Sequence, residues 1–440
     1  MAFMDVVSFR RKAKPIEVFC IDLTSPPMKQ KKRSLLILIL GLLSAIGPFS
    51  IDMYLPGFPV IAESLNTTVD RVAYSLSSFF IGLCAGQLIV GPLLDRFGRK
   101  KPLCIGLVLY IIASIGCSLA TTVEALIAFR FVQALGCCVG MVAPNAMVRD
   151  IFPVTENAKV FSLLILILGV SPILAPTVGS YVVAASGWPM VFTVLAVVTT
   201  LILGVVIFWL PESKGADSSI SLKPKPIIVG YANVIKKPQF TTYAFAGAIA
   251  SAGLFAYLAG SPFVFMELYE VSEQQYGWIF ALIAAGLIGS SQFNNFILKR
   301  YSSAQIIRLV LLIQSLLGLL LVMGTILGML GLSSTIFLMF LFLSCQGFTF
   351  PNTAALALAP FTTGAGSASA LMGALQMAFG ALASALVGLF FNATALPMVA
   401  IMASCSTLGL LILLTGRKRV EFKEKQLDIE AERFEMIEKL

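Results

Sequence analysis

SLLILILGLLSAIGPFSIDMYLP, residues 34–56, decides the fold. One charged side chain, Asp52, interrupts a run longer than the about 20 apolar residues a helix needs to cross a membrane. Eleven further stretches pass the same test, at 72–94, 102–121, 125–148, 160–185, 188–210, 240–266, 276–298, 309–329, 333–359, 366–391 and 394–416. Only internally hydrogen-bonded backbone survives in hydrocarbon, so these read as twelve transmembrane helices, spans 1–12. Composition agrees: 58% of the 440 residues are hydrophobic and 12% charged, where soluble domains carry about 25% charged. One soluble core of this size is excluded, because cores stop growing near about 250–300 residues and divide into domains with polar surfaces.

The net charge of +9 is a matter of topology rather than of nucleic-acid binding, which needs basic residues gathered on one exposed face. Of 31 Lys and Arg, 29 fall in the N-terminal segment, the tail and the loops after spans 2, 4, 6 and 8. Basic loops stay in the cytoplasm, so both termini are expected there, with the protein in the plasma (inner) membrane. The exceptions are Arg71, in the first outward loop, and Arg130, inside span 4. Seven of the eight cysteines lie in apolar stretches without CxxC spacing, and histidine is absent, so no metal site and no cofactor are expected.

The longest polar interruption, 211–239, divides the spans six and six. The expected layout is an N-terminal extension 1–33, disordered and lacking a signal-peptide pattern, then bundle 34–210, linker 211–239, bundle 240–416 and tail 417–440. Met28 opens MKQKKRSLLILIL and reads as a plausible native start, which would make residues 1–27 a start-site artefact. The tail reads as either a surface helix or a frayed terminus. Span 4 ends PNAMVRDIFP (144–153) and span 10 ends PNTAALALAP (351–360), each preceded by a Gln and a Gly: Gln133 and Gly136, Gln346 and Gly347. That internal repeat, with the helix count, points to an all-α membrane protein of two pseudo-symmetric six-helix bundles, with substrate bound near the midplane between them.

Asp52 is the only carboxylate well inside a span and Arg130 the only deep base. Charge at that depth is costly and marks a functional path more often than a structural ion pair. With no histidine, Asp52 is the group suited to exchange a proton, and Arg130 would modulate it or balance charge in a water-lined cavity. The loop GPLLDRFGRKK supplies Gly91, Asp95, Arg96, Gly98 and Arg99. Gly91 is expected to allow close helix approach and Gly98 a tight turn, while Asp95, Arg99 and Asp150 form a latch holding one conformation closed. Span 5 contains GVSPILAPTVGSYV, whose Gly169, Pro172, Pro176 and Gly179 suit a flexing gate helix. An enzyme would need clustered catalytic groups and a channel a selectivity lining; neither is visible, nor is a Walker-type nucleotide motif.

At SIDMYLPGFP (50–59), GPLLDRFGRKK (91–101), RFVQALG (130–136) and the span 5 pattern, the chain resembles the bicyclomycin-resistance (Bcr/CflA) branch of drug:proton antiporters in the major facilitator superfamily, over 30–416. The resemblance implies alternating access, outward drug efflux, and coupling roles for Asp52 and Arg130. It departs from the pattern at Ser44, where some relatives carry a second acid, at Ala175 in the span 5 motif, and around Asn295, Lys299 and Arg300, a degenerate second copy of the loop motif. From the first and fourth helices of each half come the candidate cavity residues Tyr54, Gln133, Met141, Asn145, Tyr257, Gln346 and Asn352. Expected partners are a small amphipathic substrate, protons and the lipid bilayer, for a monomer that binds no nucleic acid. The competing reading is uptake of a small nutrient or osmolyte by proton symport or facilitated diffusion.

Overall fold

The computed structural model describes residues 30–152, 154–217, 224–361 and 365–416. The expectations for the extension upstream of Gln30 and for the tail 417–440 lie outside the described residues. Twelve helices among those described are long and apolar enough to cross a membrane: Arg33–Ser64, Val69–Phe97, Lys100–Ser118, Val123–Ile151, Ile167–Ser186, Pro189–Trp209, Pro238–Leu268, Glu273–Ile297, Ser303–Ile326, Leu332–Leu358, Gly366–Leu389 and Leu396–Gly416. They are spans 1–12, all twelve at the places expected, and the molecule is a multi-pass membrane protein.

Several starts are written in local chemistry. Thr122 accepts a hydrogen bond from the Ala125 N–H at the head of span 4, and Ser272 with Gln275 and Ser302 with Gln305 form capping boxes on spans 8 and 9. Span 1 runs further than expected because it is broken. Its first helical segment ends at Asp52, a 3₁₀ turn covers Leu55–Gly57, and a second helix covers Phe58–Ser64. Pro56 and Pro59 each open one of the later segments, where a missing N–H removes no helical bond. Span 7 ends in a π-helical turn, Phe263–Leu268, directly after Pro262.

The two halves pack by one plan. In the first, span 4 lies against spans 1, 2 and 3, and span 1 against span 5; in the second, span 10 lies against spans 7, 8 and 9, and span 7 against span 11. The halves meet along spans 2 and 11 and along spans 5 and 8. This is the two-bundle major facilitator arrangement expected above. Close approach of spans 2 and 4 is made by Gly82, against Ala134 and the Phe131 carbonyl, and Gly86, against Cys138. Gly91 does not do this work: a Cβ there would meet nothing within 4 Å, because the packed seam lies on the two glycines above it.

Candidate functional site

Asp52 closes the first segment of span 1 and is 5% exposed. Among the described residues no hydrogen bond or ion pair to its carboxylate is found. The break that follows packs on spans 7 and 8 of the other half, and Asp52 lies within electrostatic reach of Tyr257 and Tyr276 there. Tyr276 shares a 2.9 Å hydrogen bond with Ser261, whereas the buried Tyr257 hydroxyl has no hydrogen-bond partner among the described residues. Gly179 of span 5 holds the break from behind: a Cβ would overlap the Met53 carbonyl, so only glycine fits.

Arg130 is wholly buried. Its guanidinium stacks on the rings of Phe79 at 4.0 Å and Tyr54 at 4.3 Å, with Phe192 at 5.8 Å. Nη1 donates to Gln133 Oε1 at 2.7 Å, Gln133 Nε2 donates to Ser114 at 2.7 Å, and Ser114 donates to the Tyr110 carbonyl at 2.7 Å. Nε and Nη2 have no hydrogen-bond partner among the described residues. The expected open cavity around this base is replaced, in this conformation, by an aromatic cage within one half. Tyr54, which belongs to the cage, stands two residues along the chain from Asp52.

The loop motif assembles at the basic end of the molecule, where the loops after spans 2, 4 and 6 gather. Arg99 donates from Nε to Asp150 Oδ2 and from Nη1 to Asp95 Oδ1, both at 2.8 Å. Burial by itself disfavours the Arg99 charge, yet the hydrogen bonds and charges of Asp150 and Asp95 outweigh it and hold its pKa above the ordinary value. The three expected residues are thus together, joining span 2 to span 4. Gly98 has φ +84°, in the left-handed region, and a Cβ would press on Glu212.

Sequence reasoning missed the linker's part. Glu212 accepts from the N–H groups of Arg99 (2.7 Å) and Lys100 (3.2 Å), placing a carboxylate on the N-terminus of span 3. Ser213 donates to Asp150 at 3.1 Å, Lys214 lies 3.7 Å from Asp95, and the Asp217 N–H donates to the carbonyl of Arg96 at 3.1 Å. The available signal was PESKGAD (211–217), with an acid and a base entering a loop that the topology returns to the same end.

The remaining cavity candidates divide. Gln346 bonds Ser251 of span 7 and Gln314 of span 9, and Asn352 donates to Asn294 of span 8 at 2.7 Å. With Gln133, these three amides join helices within their own halves instead of lining an opening, since a buried amide in hydrocarbon must find partners. The pairing repeats across the halves: Gln133 bonds span 3 from span 4, and Gln346 bonds span 9 from span 10. Tyr54 is buried against Arg130 with its hydroxyl 3.3 Å from Ser75, while Met141 is partly exposed and Asn145 exposed. In span 5, Pro172 and Pro176 lie inside one helix, Val154–Ser186, and this helix faces span 8, Gly169 meeting Ile288 and Pro176 meeting Gly277. At the end opposite the basic one the halves touch: Ser77 and Ser384 share a 2.7 Å hydrogen bond, and Gly388 sits against Tyr74 and Asp70.

Comparison with known proteins agrees with this geometry. The family model "Major Facilitator Superfamily" matches residues 40–388. The "Uncharacterized MFS-type transporter YdgK" of Bacillus subtilis is 34% identical, covering 86% of this chain and 94% of that one. The "Bicyclomycin resistance protein homolog" of Haemophilus influenzae is 30% identical over 87% and 96%, and "Multidrug resistance protein MdtL" of Escherichia coli is 30% identical over 83% and 92%. A solved bacterial homologue of the human lysosomal transporter Spinster, inward-facing and occupied, superposes with TM-score 0.69 at 14% identity, covering 88% of this chain and 96% of that one. A D-xylose-proton symporter does so with TM-score 0.65 at 15% identity over 87% and 97%. The chain belongs to the major facilitator superfamily, within the branch that holds its bicyclomycin-resistance and multidrug-resistance relatives.

Proposed function

We propose that this transporter exports small amphipathic compounds in exchange for protons, by alternating access. It works as a monomer in the plasma membrane, with the basic end and both termini in the cytoplasm. The observation that carries the reading is Asp52: a carboxyl 5% exposed, without a hydrogen-bond or ion-pair partner among the described residues, at a helix break pressed against the opposite half. An unpaired buried charge is costly, so such an acid exchanges its proton when the halves part and water reaches it. Arg130 acts through Tyr54, its cage fixing the break from within the first half.

Alternation is supported by what touches at each end. The end away from the basic loops is closed by Ser77–Ser384 and Ser180–Gly277, while Asn145 and Phe350, in the basic-end halves of spans 4 and 10, are exposed. The Asp95–Arg99–Asp150 cluster is intact in this arrangement and breaks in the reverse one. The names of the relatives support a drug-like cargo. Expression in an efflux-deficient host, challenged with a compound panel beside Asp52→Asn, tests the reading. Resistance to some compounds, lost in the variant, is expected; no compound exported, with a nutrient accumulated inward instead, would overturn it.

A further inference from the structure

The helix Pro224–Ile235 stands between the two halves in sequence and forms no part of either bundle. One face is docked. Val234 is buried in a cluster with Phe240 and Tyr243 of span 7 and Leu371 of span 11, and the Tyr231 hydroxyl donates to the Leu88 carbonyl of span 2 at 3.1 Å. The neighbouring face is open: Ile228, Val229 and Ile235 are 62%, 49% and 43% exposed. Ile228 and Ile235, seven residues apart, share one side of the helix. Lys225, Lys236 and Lys237 are exposed on and beside it. Bare aliphatic side chains edged by cations on a short helix mark an interaction surface.

Depth says what covers it. From Val72, past the charged Asp70 and Arg71 at its outer end, to Leu88, span 2 rises about 24 Å at ~1.5 Å per residue, which brings the Leu88 carbonyl to within about 6 Å of the far boundary of a ~30 Å hydrocarbon layer. A helix hydrogen-bonded there lies at the membrane boundary on the basic end, where aliphatic groups reach acyl chains and ammonium groups meet phosphates. A second copy of the chain is disfavoured as occupant, because it would set the same three lysines against themselves.

We propose that Pro224–Ile235 is an interfacial helix that binds the anionic phospholipid surface at the basic end, with Ile228, Val229 and Ile235 among the acyl chains and the three lysines on lipid phosphates. The surface belongs to the linker and is independent of what the transporter carries.

The test uses the full chain in nanodiscs of phosphatidylcholine with phosphatidylglycerol, with photoreactive p-benzoylphenylalanine at position 228. A phospholipid adduct enriched in phosphatidylglycerol is expected. A crosslink to a second copy or to another segment of this chain would overturn the proposal. So would no adduct at 228 while the same group at Leu201, 66% exposed on span 6, captures lipid. Independently, phosphatidylglycerol titrated into the detergent-solubilised protein is followed by its unfolding temperature. Lys225→Gln, Lys236→Gln and Lys237→Gln are each expected to lower apparent affinity about fivefold. Affinity unchanged in the triple variant would overturn the proposal.

Discussion

Arg130 is 0% exposed; among the described residues its guanidinium donates one hydrogen bond, from Nη1 to Gln133, and is held otherwise by the faces of Tyr54 and Phe79. Desolvated cation–π contacts supply about 2 kcal/mol each, against several kcal/mol to bury the ion. An unbranched apolar side chain would fill the cage without that penalty. Arg130→Met is therefore expected to keep or raise the unfolding temperature while lowering transport at least tenfold, both read on one preparation. A large fall in stability would make Arg130 a structural residue instead. The charge itself was legible, since one base stands alone at lipid depth. Its cage was not: Tyr54, Phe79 and Phe192 come from spans 1, 2 and 6, and one aromatic in an apolar span looks like another until the helices are packed.

At the scale of elements, the seam between spans 1 and 5 depends on Gly179, because the Met53 carbonyl occupies the space a Cβ would take. Gly179→Val overpacks this contact, which costs typically about 1–3 kcal/mol and forces the break away from span 5. A lower unfolding temperature is expected, where Gly204→Val, facing open space, leaves it unchanged. At the basic end, Glu212→Gln removes the anion from the head of span 3 and is expected to cost about 0.3–1 kcal/mol, read by thermal unfolding and fading in high salt. Element positions were legible because about 20 apolar residues admit few alternatives in a bilayer, and Asp95, Arg99 and Asp150 because helix ends on one side of a membrane gather. The break in span 1 was written in Pro56 and Pro59 yet read only as the helix end. Glu212 was invisible because its partners, Arg99 and Lys100, stand more than a hundred residues earlier.

For the whole molecule, the proposed alternating access requires the two halves to part at the end closed by Ser77 and Ser384, whose hydroxyls are 2.7 Å apart. Ser77→Cys with Ser384→Cys places two sulfurs where a disulfide can form. Oxidation is expected to stop transport and reduction to restore it; full transport in the oxidised, crosslinked protein would mean that spans 2 and 11 do not separate. Asp150→Asn weakens the opposite end and is expected to shift the population toward the reverse conformation by about 1–2 kcal/mol, seen as faster labelling of Ser77→Cys.

Pseudo-symmetry at this scale was legible in the two PN-to-Pro repeats and returns as the matched pairs of spans 4 with 3 and 10 with 9. Which polar groups face an opening was not, because the same amides serve equally to join helices. Proton exchange at Asp52 is tested most directly in proteoliposomes under an imposed pH gradient, once a substrate is in hand. Wild-type protein is expected to drive substrate uphill against proton flow, and Asp52→Asn to lose this while still exchanging substrate for substrate down its gradient. Gradient-driven transport by Asp52→Asn at the wild-type rate would contradict a role for Asp52 in coupling.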